Sequence, residues 1–172
     1  LRDLAMDNGF AAGLEAESEG EEGKYYLWTE AEIDAALSGT FAQRFKSVYG
    51  VTRDGNHTGG RNILRRTGHP QPQLTEADEA LLVKQRGMLL AARDKRVRPA
   101  RDETRLADWN GLAIAALAQA GAAMDRADWV KAAIHAFDQV VKALGEGDRL
   151  YHSANAGVRG APAFADDYAH MA

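Results

Sequence analysis

The chain has 172 residues, 45% hydrophobic and 27% charged, with a formal net charge of −4 and no cysteine. That length suits one ordinary domain with a real core, and the charge gives no electrostatic reason to expect nucleic acid or an anionic membrane as a partner. The missing cysteines exclude disulfides, thiolate metal sites and cysteine nucleophiles and fit a reducing compartment, expected to be the cytoplasm, while no apolar run approaches the roughly 20 residues that span a bilayer.

Taken in order, most of the chain reads as helix. Leu1 to Asp7 reads as the tail of a helix ended by Asn8-Gly9. Phe10 to Leu14 and Lys24 to Trp28 read as two short strands flanking an acidic turn. Thr29 then starts a helix: Glu32 stands three residues on, as a capping box requires, and Trp28 and Ile33 are spaced as a hydrophobic staple. Ser38-Gly39 interrupts it. A second short helix carries Phe41, Phe45 and Val48 on one face and stops at Gly50. Residues 51 to 73, with Gly55, Gly59-Gly60, Pro70 and Pro72, are turn-rich and irregular. A long helix follows over about Thr75 to Arg96, with Thr75 and Asp78 as its capping pair and Arg93, Lys95 and Arg96 at the negative end of its dipole.

Two further helices form a hairpin. The first, over about Trp109 to Met124, is apolar nearly all round and should be buried on several sides. The second, over about Ala127 to Leu144, is amphipathic, with Val130, Ala133, Ile134, Phe137, Val140, Val141 and Leu144 in one stripe. An inner helix beside an outer one is the pattern of a layered α-structure. Another helix opens at Asp166-Asp167-Tyr168-Ala169. The chain starts at Leu1 rather than Met and is expected to be a piece of a longer protein.

The densest chemistry lies in Glu17-Ser18-Glu19-Gly20-Glu21-Glu22-Gly23-Lys24-Tyr25-Tyr26-Leu27-Trp28. Carboxylates and glycines stand directly against an aromatic segment, which a disordered acidic linker would lack. The run suits either a solvated turn or a loop that binds a cation or sugar hydroxyls. It does not have the Asp-x-Asp-x-Asp-Gly order of a calcium loop.

Together with Tyr49-Gly50-Val51-Thr52, Gly55-Asn56, Arg61-Asn62-Ile63-Leu64, Arg101-Asp102, Trp109-Asn110-Gly111-Leu112 and Asp166-Asp167-Tyr168-Ala169, this run resembles the spermatogenesis-associated protein 20-like family. Those proteins pair a thioredoxin-like domain with an α/α toroid similar to six-hairpin glycosidases and N-acylglucosamine 2-epimerases. The resemblance implies a mainly α fold: residues 1–172 as a single partial domain from the middle of an (α/α)6 toroid, with a short β-hairpin near the N-terminus and the thioredoxin-like domain absent. The chain departs from the family at Asp108, where Ser is usual, at His57, where an aromatic is usual, and at Asp102-Glu103, where a pair of Asp is frequent.

A toroid's cleft is built from loops at one end of its inner helices, so the resemblance implies carboxylate chemistry at Asp102, Asp108, Asp166 and Asp167, with Glu19, Trp28, Trp109, Asn110 and Tyr168 around a sugar ligand. A glycosidase needs two carboxylates about 5 Å or roughly 6.5–9.5 Å apart, and Asp102 with Asp166 or Asp167 would supply them from different hairpins. Asp108 alternatively caps the helix that follows it, Trp109 alternatively anchors the core, and Asn110 alternatively bonds a loop. A sugar epimerase would instead use histidine as acid and base beside a carbonyl. Of His57, His69, His135, His152 and His170, only His152 and His170 lie near the cleft segments, and His135 falls on a polar helix face. No metal spacing and no phosphate-cradling loop is present, so neither metal nor other cofactor is expected. The leading expectation is a carbohydrate-active or carbohydrate-binding toroid, glycoside hydrolase-like or epimerase-like. The alternatives are a platform for the substrates or partners of a thioredoxin-domain redox protein, and a non-catalytic scaffold. A toroid cut open should expose apolar helix faces and self-associate.

Overall fold

The computed structural model describes residues 3–38, 40–66 and 74–172. Among them are six α-helices and several short antiparallel strand pairs, with about half the chain helical. The fold is thus mainly α, as expected. The helices are α1 (Glu30–Leu37), α2 (Thr40–Tyr49), α3 (Glu76–Arg93), α4 (Ala107–Ala123), α5 (Ala127–Leu144) and α6 (Ala165–Met171). They divide between two compact units. One is Ala16–Pro99; the other joins Leu1–Glu15 to Ala100–Ala172. No described helix is long and apolar enough to cross a membrane.

In the Ala16–Pro99 unit the expected start signals operate as written. Thr29 accepts the Glu32 N–H while the Glu32 carboxylate accepts the Thr29 N–H. Thr75 and Asp78 do the same for α3. Trp28 and Ile33 are both buried in a core with Leu37, Phe45, Val48, Tyr49, Leu82 and Leu89. Phe41, expected on the same apolar face, is instead exposed. The irregular stretch is irregular only in part, because Arg61–Asn62 pairs with Trp28–Thr29. Asn62 is fully buried and replaces several backbone partners at once. Its side chain accepts the Thr52 N–H at 3.0 Å and donates to the carbonyls of Trp28 and Thr52 at 3.2 and 3.0 Å. At Gly55, φ is +74° and a Cβ would meet the Arg61 carbonyl oxygen at 2.3 Å, so this turn requires glycine. Gly39, His69, Pro70 and Pro72 lie outside the described residues, as do Leu1 and Arg2.

Two local expectations are corrected. The segment ending at Asp7 is not a helix tail: Ala5–Met6 pairs with Gly9–Phe10 around a turn at Asp7 and Asn8. The Asn-Gly signal serves a hairpin as readily as a helix end. Asn110, 100 residues away, fixes the hairpin by accepting the Phe10 N–H at 2.8 Å and donating to the Phe10 carbonyl at 3.1 Å. Likewise neither Phe10 to Leu14 nor Lys24 to Trp28 is one strand: Ala11 and Ala12 separate Gly9–Phe10 from Gly13–Leu14, which pairs with Arg101–Asp102. Residues Gly23–Tyr26 form a turn, and only Trp28–Thr29 is extended. The carbonyls of Lys24, Tyr25 and Leu27 turn to the Arg96 guanidinium, which also lies 4.0 Å from the centre of the Trp28 ring. This cation–π and hydrogen-bond clamp replaces a strand partner.

In the other unit, α5 spans the expected residues, and α4 packs against both α5 and α6. The core holds Ala107, Val140, Leu144 and Ala154, with Ile114, Leu150 and Met171 against it. The expected burial of α4 on several sides is only partly met. Gly111, Leu117 and Gly121 are buried, but Leu112 and Met124 are more than half exposed. On α5 the stripe divides: Ala133, Val140 and Leu144 are buried, whereas Ile134, Phe137 and Val141 are exposed.

Candidate active site

Helix α4 begins at Ala107, two residues before Trp109. Its N-cap is Leu106, whose side chain has no acceptor. The N–H groups of the first turn must therefore find partners elsewhere. Pairing of Ser153 and Ala154 with Leu106 and Arg105 brings the neighbouring His152 carbonyl to the Ala107 N–H at 2.8 Å. The Asp108 N–H goes to Asp167 Oδ1, on the first turn of α6, at 3.1 Å. Asp108 is consequently not the cap of its own helix. It stands inside the first turn, and Asp167 supplies the acceptor.

This arrangement gathers Asp108, His152 and Asp167, whose nearest ligand-capable atoms all lie within 4.8 Å of one another. The Asp167 side chain is wholly buried. Its Oδ2 accepts the Phe164 N–H at 2.8 Å, and both its oxygens lie 3.0 Å from His152 Nδ1. An acceptor-only carboxylate fixes the proton of a neutral imidazole on Nδ1 and leaves the lone pair on Nε2. The His152 side chain is 30% exposed, its ring edge-on to Phe164 at 5.2 Å. Asp108 Oδ1 is buried with no donor facing it. A buried acceptor without a partner is costly.

The other expected site residues are distributed as follows. Asp166 is exposed, and its Oδ1 accepts the Asp167 N–H. Tyr168 is 45% exposed, with its hydroxyl accepting the Leu150 N–H at 3.0 Å. Trp109 is 54% exposed, which removes the core-anchor alternative. Asn110 is buried and bonds Phe10 and the Leu106 carbonyl, the loop-bonding alternative. Asp102 is exposed and folds back on Thr104, whose hydroxyl and N–H hold its carboxyl below the ordinary range. A glycosidase proton donor needs the opposite shift. Glu19 and Trp28 belong to the Ala16–Pro99 unit. Trp28 is 5% exposed and serves as core. Glu19 sits at a hairpin tip joining Glu17–Ser18 to Glu21–Glu22 and pairs with Lys24 at 3.0 Å, while Glu21 pairs with Arg61. The acidic run is thus met by basic side chains of its own unit.

His152 is the residue that sequence reasoning undervalued. Nothing in its immediate neighbours singles it out. The signal was its position directly before the Ser153–Asn155 strand, which pairs with the α4 entry and leads on to the acidic start of α6. Asp108, His152 and Asp167 also form the one group among the described residues able to hold a metal ion. The 3.0 Å separations between Nδ1 and the carboxylate are hydrogen-bond lengths, however, and both Asp167 oxygens already accept backbone N–H groups, so the pair suits a proton better than a cation. Neither a protein-family model nor a curated protein matches this sequence.

Proposed function

We propose that the chain is part of a carbohydrate-active α/α toroid in which His152 is the acid–base group of an epimerase-like proton transfer. One observation carries this: both oxygens of the buried Asp167 carboxylate lie 3.0 Å from His152 Nδ1, a geometry that in a neutral imidazole presents Nε2 as the base. In that role Asp167 orients the imidazole and stabilises the imidazolium that forms, as the buried carboxylate of a catalytic triad does. His152 Nε2 takes the proton from the carbon beside the carbonyl of an open-chain reducing sugar, giving an enolate, which for a 2-hydroxy sugar is an enediolate. Return of the proton from the His152 imidazolium to the same face completes exchange, and delivery of a water proton to the opposite face, with the imidazolium giving its proton to solvent, completes epimerisation; neither involves a redox change. The unpartnered Asp108 Oδ1 suits a sugar hydroxyl, and the exposed Trp109 a sugar's apolar face.

Hydrolysis is less well supported, because Asp167 is closed to solvent and Asp102 is held as an anion. A toroid is supported by the α4–α5 hairpin and by the open apolar positions Leu112, Met124, Ile134, Phe137 and Val141, which neighbouring helices would cover. Those positions equally favour self-association of this chain, to be read as a dimer in sizing experiments. The test of activity is proton exchange in deuterated water. Mannose and N-acetylglucosamine are incubated with a chain carrying the complete toroid, and loss of the C2 proton signal is followed by NMR. Exchange that His152→Gln abolishes and Asp167→Asn slows is expected. Exchange unaltered in His152→Gln, or no exchange and no thermal shift with either sugar, would remove the proposal.

A further inference from the structure

A separate feature lies within the Ala16–Pro99 unit. Arg86, Leu89, Leu90 and Arg93 recur on α3 at spacings of three and four, so they share one helix face. Phe45 and Tyr49, one turn apart on α2, stack at 4.3 Å. Together with Trp28 and Leu64 these side chains line a cavity of about 340 Å³. That is within the range of small-ligand sites, as is the composition, an apolar and aromatic wall with few polar groups.

Its two cations differ. Arg86 is paired: one guanidinium nitrogen donates to the Tyr49 hydroxyl at 2.8 Å and another to Glu79 at 3.0 Å, a carboxylate that also meets Arg66. Arg93 makes no ion pair among the described residues. Its guanidinium carbon lies 5.2 and 5.5 Å from the ring centres of Tyr25 and Tyr26, and its Nε is buried with no acceptor. Aromatic faces attract the charge but leave that N–H unmet. Of the two wall cations, Arg93 is therefore the one that no described carboxylate meets, with a donor in need of an oxygen.

We propose that this cavity binds a small apolar monocarboxylate, its carboxylate on Arg93 and its apolar body against Trp28, Phe45, Tyr49 and the three leucines. A guanidinium fork matches a carboxylate in shape, and a single such cation selects a monoanion over a phosphate dianion. The site is independent of the His152 chemistry, which belongs to the other unit.

The test uses 3-phenylpropionate and its neutral amide, titrated into the unchanged chain. Binding is read from the indole N–H signals in a proton–nitrogen correlation spectrum, with Trp28 assigned by Trp28→Phe. A saturable shift of the Trp28 signal is expected, with Trp109 and Trp129 unmoved. The amide should bind about tenfold more weakly, and Arg93→Gln should weaken the carboxylate about tenfold while leaving the amide unchanged, the cost of one charge-assisted contact. Leu90→Trp, which fills the cavity and keeps the charge, should block both. An unmoved Trp28 signal, or equal affinity for acid and amide, overturns the proposal. The acid–amide comparison decides even if Arg93→Gln does not fold.

Discussion

Asp167 closes a helix to which it does not belong: its Oδ1 accepts the N–H of Asp108, 59 residues earlier, at 3.1 Å. The same carboxylate accepts the Phe164 N–H of its own helix and anchors His152. Asp167→Ala strands two backbone donors and frees the imidazole. A loss of about 2–3 kcal/mol is expected, in the range of hydrogen bonds to a buried charge. Urea denaturation checks it, and a loss below about 0.5 kcal/mol would show that the N–H groups find other partners.

Lys46 gives a pH-dependent test. It is buried at 6% exposure, with Nζ 2.9 Å from oxygens of both Asp34 and Glu30. Hydrogen bonds to Asp34 and then Glu30 raise its pKa above the ordinary 10.5. The folded state thus holds this proton more tightly than the unfolded one. That contribution is complete below pH 10.5 and disappears as pH rises through the folded-state value. Denaturation midpoints measured between about pH 9 and 12 should fall more steeply for the unchanged chain than for Lys46→Gln. Parallel curves would mean that the two carboxylates contribute nothing.

Asn62 should be as costly to lose as a large core residue. Asn62→Ala leaves the Thr52 N–H and the carbonyls of Trp28 and Thr52 without their partner, at about 2–4 kcal/mol for several buried groups together. Asn62→Asp should not restore stability, because a carboxylate cannot donate to the two carbonyls. Thermal unfolding of both variants separates these outcomes, and recovery by Asp would contradict the assignment of donor and acceptor.

Two helical glycines should respond in opposite directions to alanine. A Cβ at Gly111 would stand 2.4 Å from the His170 carbonyl oxygen, whereas at Gly87 nothing lies within 4 Å. Gly87→Ala should gain about 0.5–1 kcal/mol from helix propensity alone. Gly111→Ala should lose about 1–3 kcal/mol, since α4 and α6 must separate to admit the methyl group. Equal responses in guanidinium titrations would refute the close approach.

At the acidic hairpin, Glu19 and Gly20 have φ of +54° and +74°. Two consecutive left-handed residues are the mark of a turn that favours Asn-Gly. Glu19→Asn should therefore stabilise by about 0.5–1 kcal/mol. The sacrificed pair with Lys24 is exposed and worth little. A lower melting temperature in the variant would count against this turn geometry.

What the sequence disclosed was local. The Thr29 and Thr75 capping boxes and the ends of α5 follow from residues three or four positions apart. Two of the misplacements involve distant partners. Arg96 takes the carbonyls of Lys24, Tyr25 and Leu27, and Asn110 fixes a hairpin at the far end of the chain. The same limit governs the candidate site: the carboxylates at α4 and α6 were legible as residues, but their division of labour was not. Asp167 became a support and Asp108 an unpartnered acceptor only once His152 stood between them. For Trp28 the sequence allows both a ligand platform and a staple, and burial assigns it to the staple.

The unit holding His152 is built from two stretches of chain, with the whole of Ala16–Pro99 inserted between them. The Glu15 N–H meets the Ala100 carbonyl at 2.9 Å, and within the inserted unit the Ser18 hydroxyl donates to the Val97 carbonyl at 2.5 Å. The insertion leaves and returns at a closed neck. Closing so long a loop carries an entropic toll that rises only with the logarithm of its length, and folding of the insert itself draws its ends together. Assembly is therefore favoured from the inside outward: once Ala16–Pro99 folds, the two stretches of the His152 unit are already drawn together. A short turn joining Glu15 to Ala100 would release it from that order.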